Sequence, residues 1–149
     1  MPDGCGEPRT SLNIIWGLTP FRPGDIFEEC KSVLVFARRL PAGILFASSC
    51  VPYTHANEIL MGEIDLLGFN ASLRLEEYGA RTVIIPTDDP SEHWEADRQY
   101  ARGILSLSHA GYLAGLGVLG RNTLLKNDKF GNLIQVGAVL PRWRPVGCL

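Results

Sequence analysis

The sequence lacks the cysteine spacing of a metal or cluster site. Cys5, Cys30, Cys50 and Cys148 lie far apart, with no C-x-x-C pair and no C-x-x-C-x-x-C run. Free thiols are therefore expected, and neither a zinc site nor an iron-sulfur cluster is expected within this chain. The sequence also lacks any apolar run approaching the ~20 residues of a membrane span, and its opening lacks the charged-then-apolar layout of a secretory signal. A cytoplasmic protein with no membrane partner is the expectation. Charge of one sign is missing too: 14 Lys and Arg stand against 16 Asp and Glu, for a net charge of −2. With no global field to gather phosphates, nucleic acid is not an expected partner. No internal repeat or low-complexity segment is present.

What is present suits a globular core. Hydrophobic residues make up 46% of the 149 positions, and a chain of that length hides roughly 70% of its unfolded surface without staples. Residues 1–11, rich in Gly, Pro and polar groups, read as a flexible tail, and residues 12–149 as one core domain. Ile14, Ile15 and Trp16 suggest a short strand over 12–18. The continuous run Val33, Leu34, Val35, Phe36 and Ala37 predicts a strand over 31–39, central in its sheet and covered on both faces. Residues 44–47 fit either a strand or packed coil.

From Thr54 the period changes. Leu60, Ile64, Leu67, Ala71, Leu75 and Tyr78 recur at threes and fours, predicting a long helix over 54–78 capped by Thr54 or Asn57, with Ile59, Leu66 and Leu73 widening its apolar stripe. Gly79 fits a left-handed helix end, and Thr82 to Ile85 a following strand. Residues 87–95 read as an acidic turn-rich stretch, and residues 97–104 fit no single element. Ser106 or Ser108 can cap a helix that carries His109 and ends near Gly115 or Gly117. A turn at 128–131 and an alternating strand over 132–140 follow.

Chemistry concentrates between His109 and Leu125, where glycines at 111, 115, 117 and 120 precede Arg121, Asn122 and Thr123. Gly115 to Gly120 satisfies G-x-G-x-x-G, yet a dinucleotide site needs a strand before the first glycine and an acid about 20 residues later, and neither is there. A phosphate loop needs Lys and then Ser or Thr, where this chain has Arg121 and Asn122. Two readings stay open: glycines that admit a flat or anionic ligand with Arg121 as a forked donor, or glycines that pack helices beside a solvated Arg. His109 lies near Ser106 and Ser108 without a neighbouring acid, so a hydrogen-bonded structural histidine is favoured over a hydrolytic dyad. His55 with Glu58, and His93 with Glu92 and Glu95, have only partial metal spacing and read as exposed polar residues.

Ser108-His109-Ala110, then Ala114-Gly115-Leu116-Gly117-x-x-Gly120-Arg121-Asn122-Thr123-Leu124-Leu125, Phe130-Gly131-Asn132 and Val136 to Leu140 resemble the core of the epoxyqueuosine reductase and reductive dehalogenase superfamily. Phe21 to Ile26, Cys30 to Phe36 and Tyr78-Gly79-Ala80 are similar to its upstream landmarks, so the likeness spans roughly residues 20–140. The resemblance implies an α+β, nitroreductase-like three-layer core, a sheet flanked by helices, that binds the corrinoid cobalamin. It implies cofactor contacts from His109, Gly115, Leu116, Gly117, Gly120, Arg121, Asn122 and Thr123.

Two family features are unmatched. The cysteine-rich segment that relays electrons has no counterpart before Leu149, and the acid of the family's Asp-Thr-Ala-Pro type motif is missing from residues 101–108. The expectation is thus a truncated or split reductase core that depends on an external iron-sulfur donor, with no catalytic residue assigned. Two alternatives accompany it: a degenerate, non-enzymatic domain that forms a homodimer through the helix at 54–78, or a flavin-binding nitroreductase-like module.

Overall fold

The computed structural model describes residues 22–87, 93–95 and 100–143. The expected tail at 1–11 and strand at 12–18 lie outside the described residues. The chain enters through a single helical turn, α1 (Pro23–Ile26), followed by β1 (Leu34–Arg39), a short 3-10 helix (Ala42–Phe46) and the long helix α2 (Val51–Glu77). Next come β2 (Thr82–Ile85), β3 (His93–Glu95), β4 (Tyr100–Arg102) and α3 (Leu107–Leu113). The two-residue strands β5 (Val118–Leu119) and β6 (Leu125–Lys126) precede β7 (Ile134–Pro141). The class is α+β, with an antiparallel sheet in the order β1-β7-β2 and two small hairpins, β3-β4 and β5-β6.

Helices cover both faces of the three-stranded sheet. On one face Leu60 and Ile64 of α2 are buried together with Leu40, against Phe36 and Leu133. On the other, Ala110 of α3 joins Ile85, Leu105, Ala138 and Leu140, with Val35 and Val83 against them. The period of two along a strand sends Ala138 and Leu140 to the α3 side, while Gly137 and Val139 meet α2. A Cβ on Gly137 would come within 2.5 Å of both Ile64 Cγ2 and Phe36 Cε2, so only glycine lets α2 approach β7 this closely.

This arrangement corrects the expected place of β1. Among the described strands β1 is an edge, and the central position belongs to β7, whose residues Val136 to Pro141 are all buried. Leu34 is exposed, and β1 ends in Arg38 and Arg39, whose charges require water. Residues 42–46, read as strand or coil, form the 3-10 helix.

The long helix is present but starts at Val51, earlier than expected. Neither Thr54 nor Asn57 caps it. Pro52 sits in its first turn, where the missing N–H costs nothing, and the Ser49 hydroxyl accepts from Val51 N at 3.2 Å. Its buried positions are Leu60 and Ile64 of the expected stripe, followed by Gly68 and Ser72 in place of Leu67 and Tyr78. Leu66 is 60% exposed and Tyr78 88%. Small residues take over the later part of the inner face, where the helix lies close to the sheet: a Cβ on Gly68 would touch Ile84 and Phe36 at 3.4 Å. Ser72 Oγ is buried with no hydrogen-bond partner among the described residues. The helix ends as its glycine predicts, with Gly79 at φ +81° and two closing bonds, Gly79 N to Glu76 O and Ala80 N to Leu75 O.

No helix among the described residues is long and apolar enough to cross a membrane.

Candidate functional site

The stretch from His109 to Leu125 folds as a helix, a glycine stop and a hairpin. Ser106 is the N-cap of α3, but its hydroxyl turns to His109 Nδ1 at 2.6 Å, making one hydrogen bond whichever ring nitrogen holds the proton. The imidazole is thereby fixed in place. No carboxylate stands behind this pair among the described hydrogen bonds, so the arrangement orients a histidine without completing a nucleophile triad. Gly115, at φ +75°, ends α3: Gly115 N donates to Tyr112 O at 3.0 Å and Leu116 N to Gly111 O at 2.9 Å.

The glycines that follow are used by the hairpin. Val118 faces Lys126 and Leu119 faces Leu125 across β5 and β6. A Cβ on Gly117 would lie 2.3 Å from Lys126 O, so the two arms close only with glycine there. At the tip, Thr123 N donates to Gly120 O at 3.0 Å and Gly120 N to Leu124 O at 2.9 Å, closing a three-residue loop of Arg121, Asn122 and Thr123. The third residue of such a loop takes the left-handed conformation, a place for Gly or Asn. Here Thr123 holds it at φ 62°, and it is the one non-glycine residue with positive φ among those described. A β-branched residue in that region is strained by about 1–3 kcal/mol.

The eight residues expected at the site are therefore spread along one structural unit. His109 is on α3, and Gly115, Leu116 and Gly117 form the base of the hairpin. Gly120, Arg121, Asn122 and Thr123 form its tip, about 10 Å further along. Arg121, Asn122 and Thr123 are exposed. Leu116 lies at the base beside Arg39, Asn127 and Phe130, where Asn127 Nδ2 donates to Leu116 O at 2.7 Å. Among the described residues no helix follows Gly120, which leads instead into the hairpin tip and β6, so the helix N-terminus that holds phosphate in a dinucleotide fold or phosphate loop does not stand there.

The structure adds a cavity that the sequence did not reveal. It measures about 270 Å³ and opens between the start of α2, the end of β2, the first turn of α3 and the β6 side of the hairpin. None of the eight expected residues lines it, although their neighbours Ser108, Leu124 and Leu125 do. Its polar wall comes from Tyr53, Thr87, Asn132 and Gln135. Two cross-connections hold that wall: Gln135 Nε2 donates to Asn57 Oδ1 at 2.7 Å, and Thr87 N donates to Asp65 Oδ1 at 3.0 Å. Their sequence separations of 78 and 22 hide this convergence from any local motif.

On the opposite flank of α3, Cys30 lies in a mainly apolar groove with Val35, Ala110 and Leu113. Burial pushes its thiol pKa up, against the opposing pull of the Ser32 backbone and Lys31, so Cys30 is not an activated nucleophile. Among the described residues no group of three His, Cys, Asp or Glu side chains is placed to hold a metal ion. Compared with known proteins, the chain matches no family model, no curated protein and no solved structure.

Proposed function

We propose that this chain is a corrinoid-binding, reductase-like core whose electrons come from a separate iron-sulfur donor. The reading rests on the A-G-L-G-x-x-G-R-N motif, which resembles the epoxyqueuosine reductase and reductive dehalogenase superfamily. The observation that carries it is the hairpin tip, where Arg121, Asn122 and a strained Thr123 are presented to solvent while the flanking glycines are taken up by the fold.

The donor set fits the edge of such a cofactor. A corrin ring carries amide side chains around its rim, and Asn132, Gln135, Thr87 and Ser108 offer amides and hydroxyls in the adjoining cavity. The bulk of the ring does not fit inside, because about 270 Å³ is the lower limit for even a small ligand. These residues hold a rim and do not enclose a macrocycle. When bound, a corrinoid supplies a metal centre that accepts and returns electrons. Arg121 provides a forked donor for an amide oxygen or an anionic group, and Asn57 fixes the direction in which Gln135 points. His109, tied through Nδ1, can hold or release a proton at its other ring nitrogen. The cysteines at 5, 30, 50 and 148 do not have cluster spacing, so the reading places the iron-sulfur donor outside residues 1–149.

Titrating the purified protein with cobalamin tests this reading through the cofactor's visible spectrum. Saturable spectral change is expected, with Arg121→Ala weakening it about tenfold, the value of one charge-assisted hydrogen bond. An unchanged spectrum at high protein concentration sinks the reading. The second reading, a flavin-binding nitroreductase-like module, would be selected by yellow colour retained through purification.

A further inference from the structure

The cavity beside the start of α2 is polar but uncharged: among the described residues that line it there is no Asp, Glu, Lys, Arg or His. Two of its polar groups are held by residues behind the wall. Thr87 Oγ1 and Thr87 N both donate to Asp65 Oδ1. A carboxylate only accepts, so the hydroxyl proton of Thr87 is committed to Asp65, and toward a ligand this hydroxyl can only accept. On β7, Gln135 Nε2 donates to Asn57 Oδ1 at 2.7 Å, while Asn57 Nδ2 donates to Met61 Sδ at 3.7 Å, which orients the Asn57 amide. Gln135 therefore keeps its Oε1 acceptor and one N–H.

These constraints define the group that fits. A ligand in the cavity has to bring N–H donors for Thr87 Oγ1 and Gln135 Oε1, and a carbonyl for the remaining Gln135 N–H. A primary carboxamide carries two N–H and one C=O, which is that set. A carboxylate brings no donor, so the Thr87 acceptor would be left unpaired. Its charge would also meet Asp65 behind Thr87, with no cation among the described lining residues to offset the repulsion.

We infer that this cavity recognises an uncharged primary carboxamide, with Thr87 and Gln135 reading the amide and Asp65 and Asn57 setting their polarity. The corrinoid proposed above carries such groups on its rim and is one source of them, and a free small amide is the other. The inference holds for either source and does not depend on the corrinoid.

The test titrates the isotope-labelled full chain with benzamide and with benzoate, which share a ring and differ in the group that is read, followed by the backbone amide signals. Benzamide should shift Thr87, Ser108 and Gln135 saturably, and benzoate should bind at least about tenfold more weakly, the cost of an unpaired acceptor. Asp65→Asn leaves Thr87 a partner but removes the charge, and should narrow the preference for benzamide over benzoate. Thr87→Val keeps the shape and removes the acceptor, and should weaken benzamide by up to about tenfold while leaving benzoate unchanged. Unchanged melting temperatures show that both variants are folded. The inference is overturned if neither compound shifts these signals, if both bind alike, or if the folded Asp65→Asn and Thr87→Val proteins keep the original preference. Added cobalamin separates the two sources. Displacement of benzamide makes the corrin rim the bearer of the amide, whereas benzamide binding untouched by cobalamin, with the cobalamin spectrum unchanged, sinks the corrinoid reading and leaves this inference standing on a free amide.

Discussion

Strand β7 and the β5-β6 hairpin both contain a glycine whose missing side chain is demanded by close backbone packing, yet they differ in what they leave over. In β7 every residue from Val136 to Pro141 is buried, and Gly137 is fixed by Ile64 and Phe36 on the α2 side. In the hairpin Gly117 is fixed just as firmly by the backbone of Lys126, but the chain then runs out into solvent at Arg121, Asn122 and Thr123. Packing accounts for β7 from Val136 to Pro141 and only for the base of the hairpin. The tip, which the fold does not require in this form, is the part available to a ligand.

The strongest way to break this comparison is at its centre. Gly137→Val places a branched side chain where even a Cβ lies 2.5 Å from Ile64 and Phe36. Overpacking of this kind should cost about 3 kcal/mol or more, a fall of roughly 10 °C in Tm. Thermal unfolding followed by circular dichroism measures it, and a loss under about 1 kcal/mol would show that α2 can lift away from the sheet.

Gly117→Ala is the matching change in the hairpin. Its Cβ would meet Lys126 O at 2.3 Å, a backbone atom that cannot rotate aside. The expected cost is about 2 kcal/mol, felt locally because the hairpin is a small unit beside the main sheet. Hydrogen exchange should show faster exchange at Gly120 N, which bonds Leu124 O at 2.9 Å, with β7 amides unchanged. Equal loss of protection in both regions would contradict the division drawn between them.

The two regions were also unequally legible in the sequence. Elements that end on a conformational requirement could be read: Gly79 closing α2, Thr82 to Ile85 after it, and Gly115 closing α3 all stand where local chemistry puts them. Elements decided by packing could not. Hydrophobic periodicity found Leu60 and Ile64 on the inner face of α2 but also picked Leu67 and Tyr78, because it counts apolar residues, whereas at Gly68 the helix lies so close to the sheet that a Cβ would already touch Ile84 and Phe36. The same bias placed β1 at the centre of the sheet, a position occupied by β7 with its smaller Gly137 and Ala138. The hairpin was hidden inside its own glycines, which suggested a ligand loop. The cavity wall of Tyr53, Thr87, Asn132 and Gln135 had no local signal, since it is assembled from four separate segments.

The smallest expected effect separates the tip from the fold that presents it. Thr123 holds φ 62° without the freedom of glycine, and its hydroxyl reaches only the neighbouring Asn122 O at 2.7 Å. Thr123→Gly removes the strain of a β-branched residue in the left-handed region, and part of that gain is lost to the greater entropy of glycine in the unfolded chain. A net stabilisation of about 0.5–1 kcal/mol is expected, seen as a rise of a few degrees in Tm. If the tip is a ligand contact, the same variant should bind cobalamin more weakly while being more stable, because a loosened loop no longer holds Arg121 in one direction. Stability and binding moving in opposite directions would distinguish a strained ligand contact from a turn that is merely imperfect. A variant that is less stable would show instead that Thr123 is held by contacts the hairpin needs.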